Sequence, residues 1–375
     1  MKQSANDCMR EKLKLRTADG SIRNLQKENT LYDFSSNDYL GFARSPELKN
    51  LIKLELEKYP QHLSGATGSR LLSGNSAFAG LLEKEIALYH QAAHGLLFNT
   101  GYAANTALFS SLPQKGDTVI CDEYIHASVI DGIRLSFATR LKFGHNNLED
   151  LEKKLRQCTG TCYVAVESVY SMDGDLADLT GISSLCAQYE AHLIVDEAHA
   201  FGVLGTGLVD LLKMQTTVFA RVITFGKALG LHGAIVLGSD LLRDYLINFA
   251  RPFIYSTAPP FPLLLSIQVA YKHLLSHPEH QNNLQRKSSL LKAHLPPKEQ
   301  LNSTCNPAAI QGIFLKGNEE TVRFSLALQQ RGFDIRPIRS PTVPQGKERL
   351  RICLHLHNTD QEILELCHHL KQLSQ

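Results

Sequence analysis

The chain contains no tryptophan and only four methionines in 375 residues. It also lacks any run approaching the ~20 apolar residues that span a bilayer, so no membrane-embedded segment is expected. Its first residues, Met1-Lys2-Gln3-Ser4-Ala5-Asn6-Asp7-Cys8, lack the apolar stretch of a secretory signal, and a cytoplasmic location is the expectation. Charge of one sign is missing too: 39 Lys and Arg against 37 Asp and Glu leave a formal net charge of +2. There is no basic block and no interleaving of basic with aromatic residues, which argues against a nucleic-acid partner. Eight cysteines are scattered without a framework. Cys158 and Cys162 form the one close pair, at a spacing that is neither a zinc nor a thioredoxin motif. Free thiols in a reducing compartment are expected, with no metal centre.

What is present is a soluble composition, 43% apolar and 20% charged, in a chain too long for one ordinary core. The first ~30 residues are polar and read as helical with a mobile start. Ser45-Pro46-Glu47 opens a helix with a cap, a first-turn proline and an early acid. Leu48, Leu51, Ile52 and Leu56 give that helix an apolar face. Ser76 caps the next, which carries Leu81, Leu82, Ile86 and Leu88. From Gly95 to Gly238, short apolar runs alternate with segments of helical period. The runs are 95–98, 118–121, 163–166, 193–195, 218–223 and 234–237. Such alternation predicts an α/β fold with a mainly parallel central sheet and helices on both faces. After Pro259-Pro260 come two long helical stretches. A smaller α+β unit then follows, with strands near 310–315 and 349–354. The expected division is an N-terminal arm over 1–44, a large domain over 45–258 and a small C-terminal domain over 259–375.

Ligands in open α/β sheets bind beyond the carboxyl ends of the strands. Lys227, Asp196, His199, Glu167, Tyr102 and His126 all fall just after strand-like runs, so one crevice can collect them. Lys227 lies in Thr224-Phe225-Gly226-Lys227-Ala228-Leu229-Gly230, and Asp196-Glu197-Ala198-His199 ends another run. An amine after one strand and a carboxylate with a histidine after another suit pyridoxal phosphate, which needs a lysine for its Schiff base and an acid opposite its ring nitrogen. Phe98-Asn99-Thr100-Gly101-Tyr102 breaks a strand at a glycine and starts a helix, a site for an anion or simply an ordinary turn. His126 can lie on an aromatic ring or serve the structure alone. The acidic stretch from Glu167 to Asp175 is not spaced as an EF-hand and reads as a capped loop. The wording Asp-Glu-Ala-His also marks one helicase class, but that class needs GxxxxGK[ST]; here Gly226-Lys227 is followed by Ala228, which argues against a nucleotide triphosphatase.

Together these segments resemble the α-oxoamine synthases, a family of fold-type I pyridoxal phosphate enzymes. The likeness runs from Phe34 to Asn358. It includes Phe34-Ser35-Ser36-Asn37-Asp38-Tyr39-Leu40-Gly41, Gly65-Ala66-Thr67-Gly68-Ser69-Arg70, Ser171-Met172-Asp173-Gly174, Tyr255-Ser256-Thr257-Ala258-Pro259-Pro260, Arg339-Ser340-Pro341-Thr342-Val343-Pro344 and Arg349-Leu350-Arg351. The resemblance implies that Lys227 carries the cofactor and moves the substrate α-proton, and that Asp196 keeps the ring nitrogen protonated. It places His199 and Ser171 near the phenolic oxygen, His126 on the ring, and Gly101, Tyr102 and Thr224 around the phosphate. Ser256 and Thr257 match phosphate contacts from the other subunit, implying a homodimer with shared sites. Asn37 and Arg351 match positions that hold the substrate carboxylate, and Arg339 and Arg16 are further candidates for the same acidic groups. The implied reaction condenses an amino acid with an acyl thioester on coenzyme A or a carrier protein, with loss of carbon dioxide. The short chain and the Ser340–Pro344 region favour L-alanine with a pimeloyl thioester; glycine with acetyl-CoA and serine with a long acyl-CoA are the alternatives. Leu231, Ile125 and the lack of a histidine after Gly74-Asn75 depart from the family's usual pattern. Leu231 and Ile125 are expected to reshape the amino-acid or acyl pocket.

Overall fold

A computed structural model of the chain describes residues 4–25, 29–62, 64–295, 302–303 and 308–374. Seven strands form the main sheet: β1 (His94–Phe98), β2 (Thr118–Asp122), β3 (Thr139–Phe143), β4 (Cys162–Glu167), β5 (His192–Asp196), β6 (Ala220–Thr224) and β7 (Ala234–Gly238). Their order is β1-β7-β6-β5-β4-β2-β3. The β6-β5-β4-β2-β3 stretch is parallel, whereas β7 runs antiparallel to both of its neighbours. The central strands are buried along their whole length, which is why they read as unbroken apolar runs. Alternate residues feed two cores: Val164, Val166, Val195 and Ile223 on one face, Ala165, Ile194 and Val222 on the other. The strand not expected from sequence is β3. Its Thr-Arg-Leu-Lys-Phe pattern is polar because it is the sheet edge, where exposed Arg140 and Lys142 discourage further pairing.

The helices begin where their caps indicate. Residues 5–18 form α1, which buries no residue. Ser45 accepts from the Leu48 amide to start α2 (Pro46–Leu56), and Ser76 accepts from Ala79 to start α3 (Ala77–Tyr89). The expected apolar faces are only partly used. In α2, Leu48 is buried but Leu51 is exposed; in α3, Leu82 and Ile86 are buried but Leu81 and Leu88 are exposed. Two helices follow β1 and β2 directly, α4 (Gly101–Ser111) and α5 (Ala127–Ser136), and pack on each other. The stretches after Pro260 are α6 (Phe261–Ser276) and α7 (Glu279–His294).

A four-stranded antiparallel sheet completes the C-terminal part, ordered β10-β11-β9-β8. Its strands are β8 (Asn302–Ser303), β9 (Ile310–Phe314), β10 (Arg336–Ile338) and β11 (Arg349–Cys353). The helices α8 (Gly317–Gln329) and α9 (Asp360–Ser374) accompany it. The N-terminal segment is stitched to this unit. Tyr32–Asp33 pair in parallel with Phe333–Asp334, and the Cys353 amide donates to the Phe34 carbonyl at 2.8 Å. Asn37 and Tyr39 are thereby carried to the C-terminal ends of the main strands. The described cysteines are free thiols, with Cys158 and Cys162 Sγ 2.9 Å apart; Cys305 lies outside the described residues. Among the described residues, no helix is long and apolar enough to cross a membrane.

Candidate active site

A cleft of about 270 Å³ opens at the carboxyl ends of β1, β2, β4, β5 and β6, near the small end of the roughly 300–1,000 Å³ range for ligand sites. Asn37, Gly101, Tyr102, His126, Asp196, His199, Thr224 and Lys227 line it. Sequence reasoning had expected all eight. Glu167, expected in the crevice without a role, lines it too, as do Thr100, Asn105 and His232.

Asp196 ends β5 with its carboxylate fixed on both sides. Asn105 Nδ2 donates to Oδ2 at 2.7 Å, and the Ala198 amide donates to Oδ1 at 2.9 Å. Asn105 also donates to Ser128 Oγ at 3.0 Å, which lies 2.7 Å from His126 Nδ1. The acid and the imidazole are thus joined by a buried chain through α4 and α5. Asn105 was not singled out from sequence: it sits one turn inside α4, and only the fold aims it at β5.

Lys227 follows β6 in the same cleft. Burial pushes its amine below the usual lysine range, despite the opposing pull of Asp196 and Glu167. Burial, with the neighbouring Asp196, raises Glu167 well above the usual carboxyl range and favours its protonated form. His199 is held well below the usual imidazole range by burial and then by Lys227 and Arg351. Its Nδ1 meets the Tyr39 hydroxyl at 2.7 Å.

At the other end, Thr100 caps α4 by accepting from the Ala103 amide at 2.9 Å. Glycine is required next: a Cβ at 101 would fall 2.6 Å from Thr224 Cγ2. Thr224 Oγ1 is buried there without a hydrogen-bond partner. An unpaired hydroxyl beside a helix N-terminus suits an anion such as a phosphate. With an amine and a clamped carboxylate in the same cleft, the donor set fits pyridoxal phosphate from end to end.

Arg351, on β11, stands directly behind Asn37. Its Nη2 donates to Asn37 Oδ1 at 3.0 Å and its Nε to the Ser171 carbonyl at 2.7 Å. Ser171 is therefore tied to the site through its backbone, its amide also donating to Glu167 Oε2 at 3.2 Å. The remaining expected residues lie elsewhere in the protomer. Ser256 and Thr257 line a separate small cavity with Arg70 and Asn99. Arg16 and Arg339 line a third cavity of about 190 Å³ together with Arg23 and Thr342, and Arg339 Nη1 donates to the Gly20 carbonyl at 2.8 Å. Ile125 is buried in one core and Leu231 packs against the other, and neither of these departures from the family pattern lines the cleft.

Comparison with known proteins agrees with this geometry. Residues 29–370 match the family model for aminotransferase class I and II. An 8-amino-7-oxononanoate synthase of Emericella nidulans is 43% identical over 358 residues, covering 88% of this chain and 86% of that protein. The structure of an 8-amino-7-oxononanoate synthase from Francisella tularensis superimposes with a TM-score of 0.77 at 29% identity, covering 92% of this chain and 98% of that one. A serine palmitoyltransferase from S. paucimobilis, with bound PLP–myriocin aldimine, superimposes with a TM-score of 0.87 at 25% identity, covering 98% of this chain and 96% of that one.

Proposed function

The chain belongs to the aminotransferase class I and II family, and we propose that it joins L-alanine to a pimeloyl thioester, releasing carbon dioxide and the free thiol, to form 8-amino-7-oxononanoate for biotin biosynthesis. The observation that carries this reading is one cleft holding the Lys227 amine and the clamped Asp196 carboxylate, with Asn37 at its wall and Arg351 bonded behind it. The identity to 8-amino-7-oxononanoate synthases over most of the chain supports the substrate pair.

When bound, pyridoxal phosphate supplies an aldehyde that joins amines and a ring that takes up the electron pair left by a departing α-proton. Gly101, Tyr102 and Thr224 would hold its phosphate, and His126 would lie beside its ring. Asp196, held by Asn105 and the Ala198 amide, keeps the ring nitrogen protonated. His199 and the segment at Ser171 would hold the side of the ring that bears its phenolic oxygen. Lys227 would hold the cofactor through its amine. Its lowered basicity leaves more free amine to take the α-proton and to return one later. Asn37 and Arg351 grip the carboxylate that leaves as carbon dioxide once the new carbon–carbon bond is made. Arg16 and Arg339 are kept as further candidates for the substrate's acidic groups, and they share an arginine-lined cavity with Arg23.

Ser256 and Thr257 are assigned to the cofactor phosphate of a second protomer, making a homodimer with shared sites. Their position outside the cleft of their own chain supports this, as does the exposed Tyr255 beside them in sequence. A cytoplasmic location and a boundary between large and small domains near Ala258 complete the reading.

The test is product mass after incubating the cofactor-loaded protein with L-alanine and pimeloyl-CoA, beside glycine and serine with short and long acyl-CoAs. 8-Amino-7-oxononanoate from alanine alone is expected. A product only from glycine or serine would overturn the substrate assignment and keep the reaction class.

A further inference from the structure

Away from the cleft, the described residues hold two clusters of side chains able to ligate a metal. In one, Asp33, His355 and His357, two of the three candidate ligands are already engaged, and the His357 ring nitrogens alone are without a partner. His355 uses Nδ1 on the Asp33 carbonyl and Asn358 and Nε2 on Ser36, and Asp33 is paired with Arg44 at 2.6 Å. A guanidinium in that position repels a cation.

The other cluster is differently built. His273 lies in the last turn of α6 and His277 is the residue just past its end, with the ring centroids 4.3 Å apart. Glu47 comes from the first turn of α2, which packs on α6. One ligand atom from each of the three lies within 4.8 Å of the others. His277 Nδ1 donates to the His273 carbonyl at 2.8 Å. That bond fixes the tautomer and leaves the Nε2 lone pair free, the arrangement by which metal-binding histidines are oriented. His280, at the start of α7, stacks on His277 at 5.1 Å, and its own Nδ1 is buried without a partner.

We propose that Glu47, His273 and His277 form a binding site for a divalent transition-metal ion, with His280 in reach as a further ligand. Two imidazoles and one carboxylate suit Zn²⁺ and its neighbours Co²⁺ and Ni²⁺ rather than Mg²⁺ or Ca²⁺, which prefer an all-oxygen shell. Tetrahedral coordination at ordinary zinc bond lengths puts neighbouring ligand atoms about 3.4 Å apart. The exposed side chain of Glu47 closes the difference by rotation. A groove of about 330 Å³, lined also by Leu51, Glu55 and Lys272, gives the ion an entry path and room for a water ligand. The site joins α2 to α6, so occupancy ties the segment after Asn37 and Tyr39 to the helix that leads into the C-terminal part.

The test uses the full-length, cofactor-loaded protein, free of any histidine tag and stripped with chelator, titrated with Zn²⁺ by calorimetry and with Co²⁺ by visible absorption. One ion per chain and a rise in melting temperature with Zn²⁺ are expected. His277→Ala and Glu47→Gln, both at accessible positions, should each weaken binding by at least about tenfold and abolish the thermal gain. His368→Ala, on α9, and Cys158→Ser should bind as wild type does. The proposal is overturned by no saturable binding below roughly 1 mM, by unchanged affinity in His277→Ala and Glu47→Gln, or by loss of binding in Cys158→Ser. None of these readouts depends on turnover, so this site and the reaction assignment stand or fall separately.

Discussion

Replacing Arg351 with lysine tests the carboxylate grip without removing positive charge. In the native protein the guanidinium spends Nε on the Ser171 carbonyl at 2.7 Å and Nη2 on Asn37 Oδ1 at 3.0 Å, while Nη1 lies 2.9 Å from Cys353 Sγ. A lysine has one nitrogen for these tasks and cannot present a planar fork to a carboxylate. Losing one of the two charged bonds a carboxylate receives costs about 1.5–3 kcal/mol. At about 1.4 kcal/mol per factor of ten, KM for L-alanine should rise by roughly 10- to 150-fold. The assay is steady-state kinetics with alanine varied at saturating pimeloyl-CoA, beside a cofactor titration and a urea melt to separate binding from folding. Cofactor affinity should stay near wild type, because Arg351 touches none of the residues assigned to the phosphate or the ring nitrogen. A KM for alanine within twofold of wild type, in a variant that folds and binds cofactor, would refute the assignment and place the carboxylate elsewhere in the cleft.

Lys227→Ala should abolish turnover and leave no cofactor covalently attached after borohydride reduction, read by intact mass; normal turnover removes Lys227 from the chemistry. Gly101→Ala places a methyl 2.6 Å from Thr224 Cγ2 and should weaken cofactor affinity by about tenfold or more, read by absorbance titration, and an unchanged titration would show that the cup lies elsewhere. His145 gives a pH prediction. Burial opposes its charge, but hydrogen bonds to Asp122 and Asp175 outweigh burial and push its pKa up to about 9. A raised pKa stabilises the fold fully below the unfolded imidazole value, and that gain is lost as pH climbs from about 6.5 to about 9. Discounted for partial exposure, it amounts to no more than about 2 kcal/mol. Urea melts should show wild type losing that margin over His145→Gln across this window, and parallel curves would show that the ion-paired cluster contributes nothing.

The strand ends carrying Lys227, Asp196 and His126 were legible because fully buried strands write themselves as apolar runs whose ends are easy to locate. β3 was not, since an edge strand with Arg140 and Lys142 exposed has no such run. Nor does sequence reveal that β7 runs antiparallel between β1 and β6: its buried apolar pattern is the same in either direction. Asn105 has no local mark either, because its partner Asp196 is 91 residues away and meets it only when α4 packs on the sheet, against β6 and β7. Arg351 was assigned by resemblance, but its place behind Asn37 depends on how β11 meets the N-terminal segment. The spacing of His273 and His277 is visible in the chain, whereas Glu47 reaches them only through the packing of α2 on α6.

The strap from Arg351 to Ser171 and Asn37 makes recognition of the amino acid the most conditional part of this machinery. It requires three remote stretches of chain to coincide, whereas Lys227, Asp196 and Thr224 all belong to the strand ends of the seven-stranded sheet. Gentle denaturation that loosens the C-terminal sheet first dissolves the grip on the substrate carboxylate while the cofactor's own anchors persist. Such a protein would stay coloured after it had gone blind to alanine, and colour alone would overstate how much of it still works.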